Sequence, residues 1–149
     1  MSELPDGVKL AAVERRAPRP TATMTMTRDG PEGVEVLLGL RSSTMAAFPA
    51  YWAFPGGGLS RVDTAAVEQL EGLDGPEAAA VACILREMSE ELGLSPTAEG
   101  LIAIPVEARK QIIADKKRYL PLAVEGAFGF DRSSIRVLSH RITPPFGPV

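Results

Sequence analysis

The chain has 149 residues, which fits a single domain large enough for a hydrophobic core of its own. A hydrophobic fraction of 45% and a charged fraction of 23% are typical of a globular domain and exclude a disordered chain. The net charge of −3 gives no general attraction for nucleic acid or anionic membranes, and no apolar run approaches the roughly 20 residues that span a bilayer. One cysteine cannot form an internal disulfide, and the N-terminus lacks a secretory pattern, so we expect a cytoplasmic protein.

The first predicted elements are strands. Residues 1–18 carry charges and prolines and are interpreted as a lead-in segment, so the domain is assigned to residues 19–149. Thr21–Thr27 alternates threonine with apolar residues, which is the period of a half-buried strand. Turn residues over 28–33 and a Val- and Leu-rich run, Val34–Leu40, then complete a predicted hairpin.

Three consecutive glycines, Gly56 to Gly58, follow a short extended piece at Trp52–Phe54. Such a run destabilises any regular element, because glycine loses more backbone entropy on folding than other residues. Two interpretations stay open at this point. The run is either a linker or a stretch of backbone that approaches a ligand closely.

The middle of the chain is predicted to form two helices. The first is short, covers Asp63–Glu71 and is capped by its first residue. The second covers 77–92 and is better marked, because Asp74 is placed to cap it and Pro76 lies in its first turn. It is predicted to end at Gly93, a residue typical of a left-handed helix exit. Further along we predict a helix over 106–117, an apolar segment of undecided type over 119–130 and a strand over 135–142.

Three glutamates, Glu87, Glu90 and Glu91, fall within one arc of about 100° when residues 77–92 are placed on a helix. Carboxylates this close repel one another, and like charges on one helix face cost stability. A divalent cation resolves the conflict, and oxygen ligands without histidine or thiolate favour Mg²⁺ or Mn²⁺ over zinc. The alternative is a solvated helix face, on which glutamates are common. A separate arc forms a core stripe of Val81, Leu85, Met88 and Leu92.

Residues 86–94, Arg-Glu-Met-Ser-Glu-Glu-Leu-Gly-Leu, resemble without a mismatch the second half of the Nudix box, R-E-U-x-E-E-x-G-U, where U is a bulky aliphatic residue. Residues 52–57 are similar to the strand and glycine turn that open that box. The family pattern places a glutamate where this chain has Asp63, which either takes that role or only caps a helix. The pattern then has seven residues before the arginine, where this chain has twenty-two.

The box is thus split by an insertion of about fifteen residues, assigned to about 64–76, and a surface insertion of that length costs little loop-closure entropy. A split box resembles the coenzyme A diphosphatase-like branch of the Nudix family. In relatives of that branch, further strands and a helix follow the segment that matches Thr143-Pro144. We therefore expect the C-terminal part of the fold to be incomplete in this chain.

The resemblance implies an α+β fold, an α/β/α sandwich with a mixed sheet and flanking helices. It implies hydrolysis of the diphosphate linkage in a small-molecule nucleoside derivative, such as a coenzyme A or acyl-CoA-like molecule, ADP-ribose or a dinucleotide. Glu87, Glu90 and Glu91 would bind the metal, with the Gly56 carbonyl as a further ligand. Glu90 is favoured as the base, and Arg86 would orient Glu87 through a charge-assisted hydrogen bond. Further motif positions are Gly57, Asp63 and Gly93.

A second hypothesis is a catalytically silent Nudix-like module that binds a nucleotide. Nucleic acid and membrane partners are not expected, whereas a homodimer is compatible with the sequence. Among other candidates, Tyr51 and Trp52 could stack on a base, but strand aromatics more often pack in a core. Cys83 has no nearby histidine to activate it, and His140 is predicted to lie at the surface. A basic run is interpreted as a solvated face rather than a phosphate site: Arg109, Lys110, Lys116, Lys117 and Arg118.

Overall fold

The computed structural model describes residues 19–45, 48–69, 75, 77–131, 133 and 135–140. The predictions about the lead-in segment, Asp74, Pro76 and Thr143-Pro144 lie outside these residues. No helix in the described ranges is both long and apolar enough to cross a membrane.

Short strands and helices make up the described residues. The strands are β1 (Thr21–Thr23), β2 (Thr27–Gly30), β3 (Gly33–Val36), β4 (Gly39–Leu40), β5 (Trp52–Ala53), β6 (Gly56–Gly58), β7 (Leu94–Thr97) and β8 (Gly100–Ala103). The helices are α1 (Arg61–Gln69), α2 (Ala78–Glu87), α3 (Val106–Ala114) and α4 (Tyr119–Val124), with a π-helical turn at Met88–Leu92 and a 3-10 turn at Lys116–Arg118. The α+β class is confirmed, and the strands pair antiparallel as β1–β6, β2–β3, β4–β5 and β7–β8.

The predicted N-terminal hairpin is confirmed, with boundaries that differ from the prediction. Its strands are β2 and β3, joined by a two-residue turn at Pro31-Glu32. Thr21–Thr27 is not one strand, because the chain changes partner within it. The Met24 amide donates to the Pro55 carbonyl at 3.0 Å, whereas the Met26 carbonyl accepts from the Leu37 amide at 3.0 Å. β1 therefore belongs with β6, and only the residues from Thr27 onward belong to the hairpin.

The glycine run is a strand, so its interpretation as a linker is wrong. Gly56 to Gly58 form β6, in which Gly56 lies opposite Thr23 of β1. Gly56 has a φ of +143°, and a side chain there would overlap the backbone of Ala22 and Thr23. Only glycine accepts both that conformation and that close approach. Gly56 is therefore required by the way β1 and β6 meet.

The core lies where the four helices pack together. The predicted stripe on α2 is confirmed, because Val81, Leu85 and Met88 are buried and Leu92 is half-buried. Packing of these side chains with those of α3 and α4 removes apolar surface from water, which is the main favourable term in folding. Those helices contribute Ala108, Ile112, Tyr119, Leu120 and Leu122.

The second predicted helix is α-helical only as far as Glu87. From Met88 to Leu92 the backbone forms a wider π-helical turn, so the prediction of a regular α-helix to Leu92 is wrong in its last turn. A local reason is Ser89, whose hydroxyl donates to the Leu85 carbonyl at 2.9 Å, a contact that bends helices. The predicted exit is confirmed, since Gly93 has a φ of +68°. Single π-helical turns are frequent at functional sites.

The last third of the described chain departs most from the prediction. The β7–β8 hairpin was not predicted, because proline is disfavoured in strands and Pro96 lies within β7, opposite Leu101. The predicted helix at Val106 is confirmed but ends at Ala114, and the undecided apolar segment contains α4. Residues 135–140 form no strand, so that prediction is wrong for its described part.

Candidate active site

A buried ion pair between Arg86 and Asp63 lies at the centre of the site. The Arg86 side chain is 2% exposed and that of Asp63 is fully buried. Two guanidinium nitrogens of Arg86 donate to the two carboxylate oxygens, Nε to Oδ1 at 2.7 Å and Nη2 to Oδ2 at 3.2 Å. Burial alone would lower the pKa of Arg86, but the hydrogen bonds and charge of Asp63 raise it above its ordinary value. Arg86 therefore stays charged, and its two bonds to Asp63 fix the position of the guanidinium.

Asp63 also stabilises the start of α1, although it is not the residue that caps this helix. The helix begins at Arg61, and Ser60 precedes it. The Asp63 carboxylate accepts the backbone amide of Ser60 at 2.7 Å and its hydroxyl at 3.0 Å. This return contact from the third helical residue is the second half of a capping box. The prediction that Asp63 caps the helix is therefore wrong, because Asp63 is the third residue of α1. Its carboxylate stabilises the start of the helix and also binds Arg86.

The three glutamates lie beside the glycine strand. Nη1 of Arg86 lies 2.9 Å from Oε1 of Glu87 and 3.4 Å from Oε2 of Glu90. A Cβ atom on Gly57 would overlap the Glu87 carboxylate, so the side chain reaches β6 only because this residue is glycine. The Glu91 carboxylate accepts the backbone amide of Gly56 at 3.3 Å. The interpretation of these glutamates as a solvated helix face does not fit Glu87, whose side chain is 12% exposed.

Arg109 contacts the end of the π-helical turn that carries Glu90 and Glu91. The sequence did not predict this role. Its Nε and Nη2 donate to the carbonyls of Glu90 at 3.3 Å and Glu91 at 2.8 Å. A side chain on Gly93 would overlap the Arg109 guanidinium, so this glycine also makes room for the contact. Carbonyls at a helix end lack partners within the helix, and a cation there is favourable. No local sequence signal marks a contact between residues so far apart.

The electrostatics of the cluster favour a divalent cation. Arg86 carries one positive charge, whereas the three carboxylates that it contacts, Asp63, Glu87 and Glu90, carry three negative charges. Burial raises the pKa of Glu87 against the opposing effect of Arg86, and the charges of Glu90 and Glu91 raise it further. A hard dication with oxygen ligands would relieve this excess of negative charge.

The glutamates are not arranged as a closed metal cage. In the described part of the chain, no three His, Cys, Asp or Glu side chains converge closely enough to form one. Glu87 and Glu90 turn toward Arg86, while Glu91 turns toward Gly56. The oxygen donors fit Mg²⁺ or Mn²⁺ by their chemistry, but the three side chains would have to rotate before all of them could bind one ion.

An open cavity of about 430 Å³ adjoins the cluster. Residues 58–60 line one part of it, and Arg86, Glu87 and Glu90 line another. Its volume lies within the range of roughly 300 to 1,000 Å³ that is typical of small-molecule sites. Two of the three glutamates therefore border space that a ligand can occupy.

The other candidate residues differ in their surroundings. Tyr51 and Trp52 are 63% and 66% exposed, so the prediction of a core role for these aromatics is wrong. Cys83 is buried beside the Gly57 carbonyl, and burial together with the charge of Asp63 raises its pKa to about 12, which leaves an unreactive thiol. His140 is exposed, as predicted.

Neither a protein-family model nor a curated protein matches this chain. Among solved structures, the chain is similar to the crystal structure of a NUDIX hydrolase from Alicyclobacillus acidocaldarius, with a TM-score of 0.70 and 24% sequence identity. The likeness covers 88% of this chain and 64% of that chain, so this chain spans less than two thirds of the other's length. The predicted Nudix-like fold is thereby confirmed. The coenzyme A diphosphatase-like branch, the split box and the domain boundaries stay predictions.

Proposed function

We propose that this chain is a Mg²⁺-dependent hydrolase that cleaves the diphosphate linkage of a nucleoside diphosphate derivative. The observation that carries the proposal is the position of Glu87, which is held by the buried Arg86–Asp63 pair and lies against Gly57. A glutamate on a solvated surface helix needs neither contact. The Nudix-like fold supports the same reaction class as an analogy. Coenzyme A or acyl-CoA-like molecules, ADP-ribose and dinucleotides are the substrate classes that contain the linkage.

Glu87, Glu90 and Glu91 would hold the Mg²⁺ or Mn²⁺, with the carbonyl of Gly56 as a further ligand. Two of these carboxylates border the cavity, and the third already contacts Gly56. When bound, such an ion neutralises diphosphate charge and lowers the pKa of a water molecule.

The residues of the chain have separate tasks in this proposal. Glu90 is 35% exposed and borders the cavity, so water can reach its carboxylate, which accepts the proton of the attacking water. Arg86 orients Glu87 by a charge-assisted contact, and Asp63 keeps the guanidinium in place. Arg109 fixes the backbone from which Glu90 and Glu91 project. Catalysis therefore depends on carboxylates whose backbone and charged neighbours are held in place.

The reaction is tested by incubating the protein and Mg²⁺ with coenzyme A, ADP-ribose, a dinucleoside diphosphate and a nucleoside triphosphate. Released phosphoryl products are then separated by chromatography. We expect at least one diphosphate-linked compound to be cleaved, and cleavage to stop when a chelator removes the metal. Absence of product from every member of the panel at high protein concentration would contradict the proposed hydrolase.

A catalytically silent nucleotide-binding module is the second candidate. The observation that favours it is that the described carboxylates form no closed metal cage. The same panel separates the two candidates when binding is measured beside hydrolysis. Binding of a panel member without any cleavage supports the silent module, whereas cleavage excludes it.

Gly57→Ala tests the close approach of Glu87 to the glycine strand. The new methyl group would overlap the Glu87 carboxylate and displace it, so we expect hydrolysis to fall about 100-fold, as small misplacements of catalytic groups do. The melting temperature should change little, because the displaced group is the end of a flexible side chain. Gly129→Ala is the matched control, since Gly129 does not line this cavity and no atom lies within 4 Å of a Cβ placed there. Equal activity of the two variants would contradict the assigned position of Glu87.

A further inference from the structure

Two basic residues border the same cavity as the glutamates. Arg19 and Lys116 line the cavity that is also bordered by Glu87 and Glu90. Both basic side chains belong to exposed residues, so their charges are accessible from solvent. The cavity is thus lined by both carboxylates and cations. Such an arrangement suits a ligand that carries several negative charges and that meets the glutamates through a metal.

Lys116 differs from the other members of the basic run. Lys117, the next residue, lines a separate and mostly apolar cavity beside Glu125. The remaining members have partners of their own: Arg109 contacts the carbonyls of Glu90 and Glu91, Lys110 contacts Glu107, and Arg118 contacts Gln111. Of this run, only Lys116 borders the cavity that contains the glutamates. Lys116 is exposed, which agrees with the interpretation of the run as a solvated face, and it is distinguished from the rest of the run by the cavity that it borders.

The backbones that carry the two cations are held in place. Asp115 caps the 3-10 turn that contains Lys116 by accepting the Lys117 amide at 3.0 Å. The Pro20 carbonyl, next to Arg19, accepts the Leu59 amide at 3.0 Å. Within the described part of the chain, neither cation forms an ion pair with an acidic side chain. Both charges are therefore available to a ligand.

We propose that Lys116, with Arg19, binds the phosphate oxygens of a diphosphate group in this cavity. The lysine ammonium is a compact charge with three donors, and charge-assisted contacts to phosphate are among the strong hydrogen bonds. The ligand class is a nucleoside diphosphate or its derivative, bound in the cavity that the cations and two of the glutamates line. Cleavage of this ligand rests on the proposed function, whereas its binding by Lys116 does not.

The experiment is calorimetric titration with the non-hydrolysable methylene-bridged analogue of ADP at a fixed Mg²⁺ concentration. We compare the parent chain with Lys116→Met, and with Lys117→Met as the matched control. Loss of a charged hydrogen bond should raise the Kd of the Lys116 variant about tenfold or more. The Lys117 variant should stay within about twofold of the parent, and Lys116→Arg should retain most of the affinity because the charge is kept.

Two outcomes overturn the inference: no binding of the analogue to the parent chain, or equal Kd values for the parent and Lys116→Met. Failure of the proposed function gives a different pattern. If the parent binds the analogue through Lys116 but cleaves no member of the substrate panel, the phosphate site is supported and the proposed hydrolase is contradicted. If the parent cleaves a substrate and Lys116→Met has an unchanged KM, the hydrolase stands and the role of Lys116 does not.

Discussion

Asp63→Ala is expected to lower the free energy of unfolding by about 3 to 5 kcal/mol, the usual effect of removing one partner of a buried ion pair. Arg86 would keep its charge at 2% exposure and lose both bonds to Asp63. The start of α1 would also lose the contacts of Ser60. Urea denaturation followed by circular dichroism measures the change. Asp63→Asn should be less damaging, because it keeps oxygen and nitrogen atoms in place of the carboxylate, and it serves if the alanine variant does not fold.

An exposed ion pair on the β2–β3 hairpin provides the control. Arg28 lies 2.6 Å from Glu35, with side-chain exposures of 81% and 43%. Glu35→Ala should cost less than about 1 kcal/mol, because solvent screens exposed pairs. Equal losses of unfolding free energy for Asp63→Ala and Glu35→Ala would contradict the claim that burial makes the Asp63–Arg86 pair the more stabilising of the two.

Glu90→Gln is expected to lower hydrolysis by about 10²- to 10⁴-fold, which is the usual contribution of a general base. Glutamine nearly preserves the shape of the side chain but can neither take a proton nor supply a negative charge. The variant should fold normally, because Glu90 is 35% exposed and its contact with Arg86 is a long one of 3.4 Å. The measurement is the rate of product release from whichever panel substrate the parent cleaves.

Glu107→Gln is the matched control for the loss of one carboxylate. Glu107 lies on α3, is 78% exposed and, among the described residues, pairs with Lys110 of the same helix alone. Its replacement should leave the rate unchanged. A rate for Glu90→Gln that equals that of the parent would remove Glu90 as the base and as an important ligand.

The parts of the site that could be predicted from the sequence are local ones. Glu87, Glu90 and Glu91 lie within five residues of chain, so helical spacing predicts that they are neighbours, although Glu90 and Glu91 lie on the π-helical turn. Gly93 follows directly and ends the turn with a positive φ, as predicted. Local rules apply well here, because the residues that interact are close along the chain.

The contacts that could not be predicted join distant residues. Arg109 of α3 donates to the carbonyls of Glu90 and Glu91. Lys116, in the 3-10 turn, borders the cavity that Glu90 also lines. Periodicity carries no information about which side of a helix meets which other element. The π-helical turn is a similar case, because it depends on packing as well as on the Ser89 contact with Leu85.

In the N-terminal hairpin, the positions of the strands were predicted better than their boundaries. Alternation identified the region of Thr21–Thr27, but it could not show that the chain changes partner after Thr23. The glycines of β6 have poor strand propensity and form a strand only because β1 pairs with them. The site is built on this pairing, since Gly57 of β6 makes room for Glu87.

The most direct test of the proposed metal site is the melting temperature of the purified chain with and without Mg²⁺. An ion that binds the folded state alone must stabilise it, by about 2.7 kcal/mol at a hundredfold excess over Kd. We predict a clear rise at millimolar Mg²⁺, and a smaller rise when Glu87, which contacts both Arg86 and the glycine strand, is replaced by glutamine. An unchanged melting temperature for the parent chain would contradict a dication site formed by these glutamates.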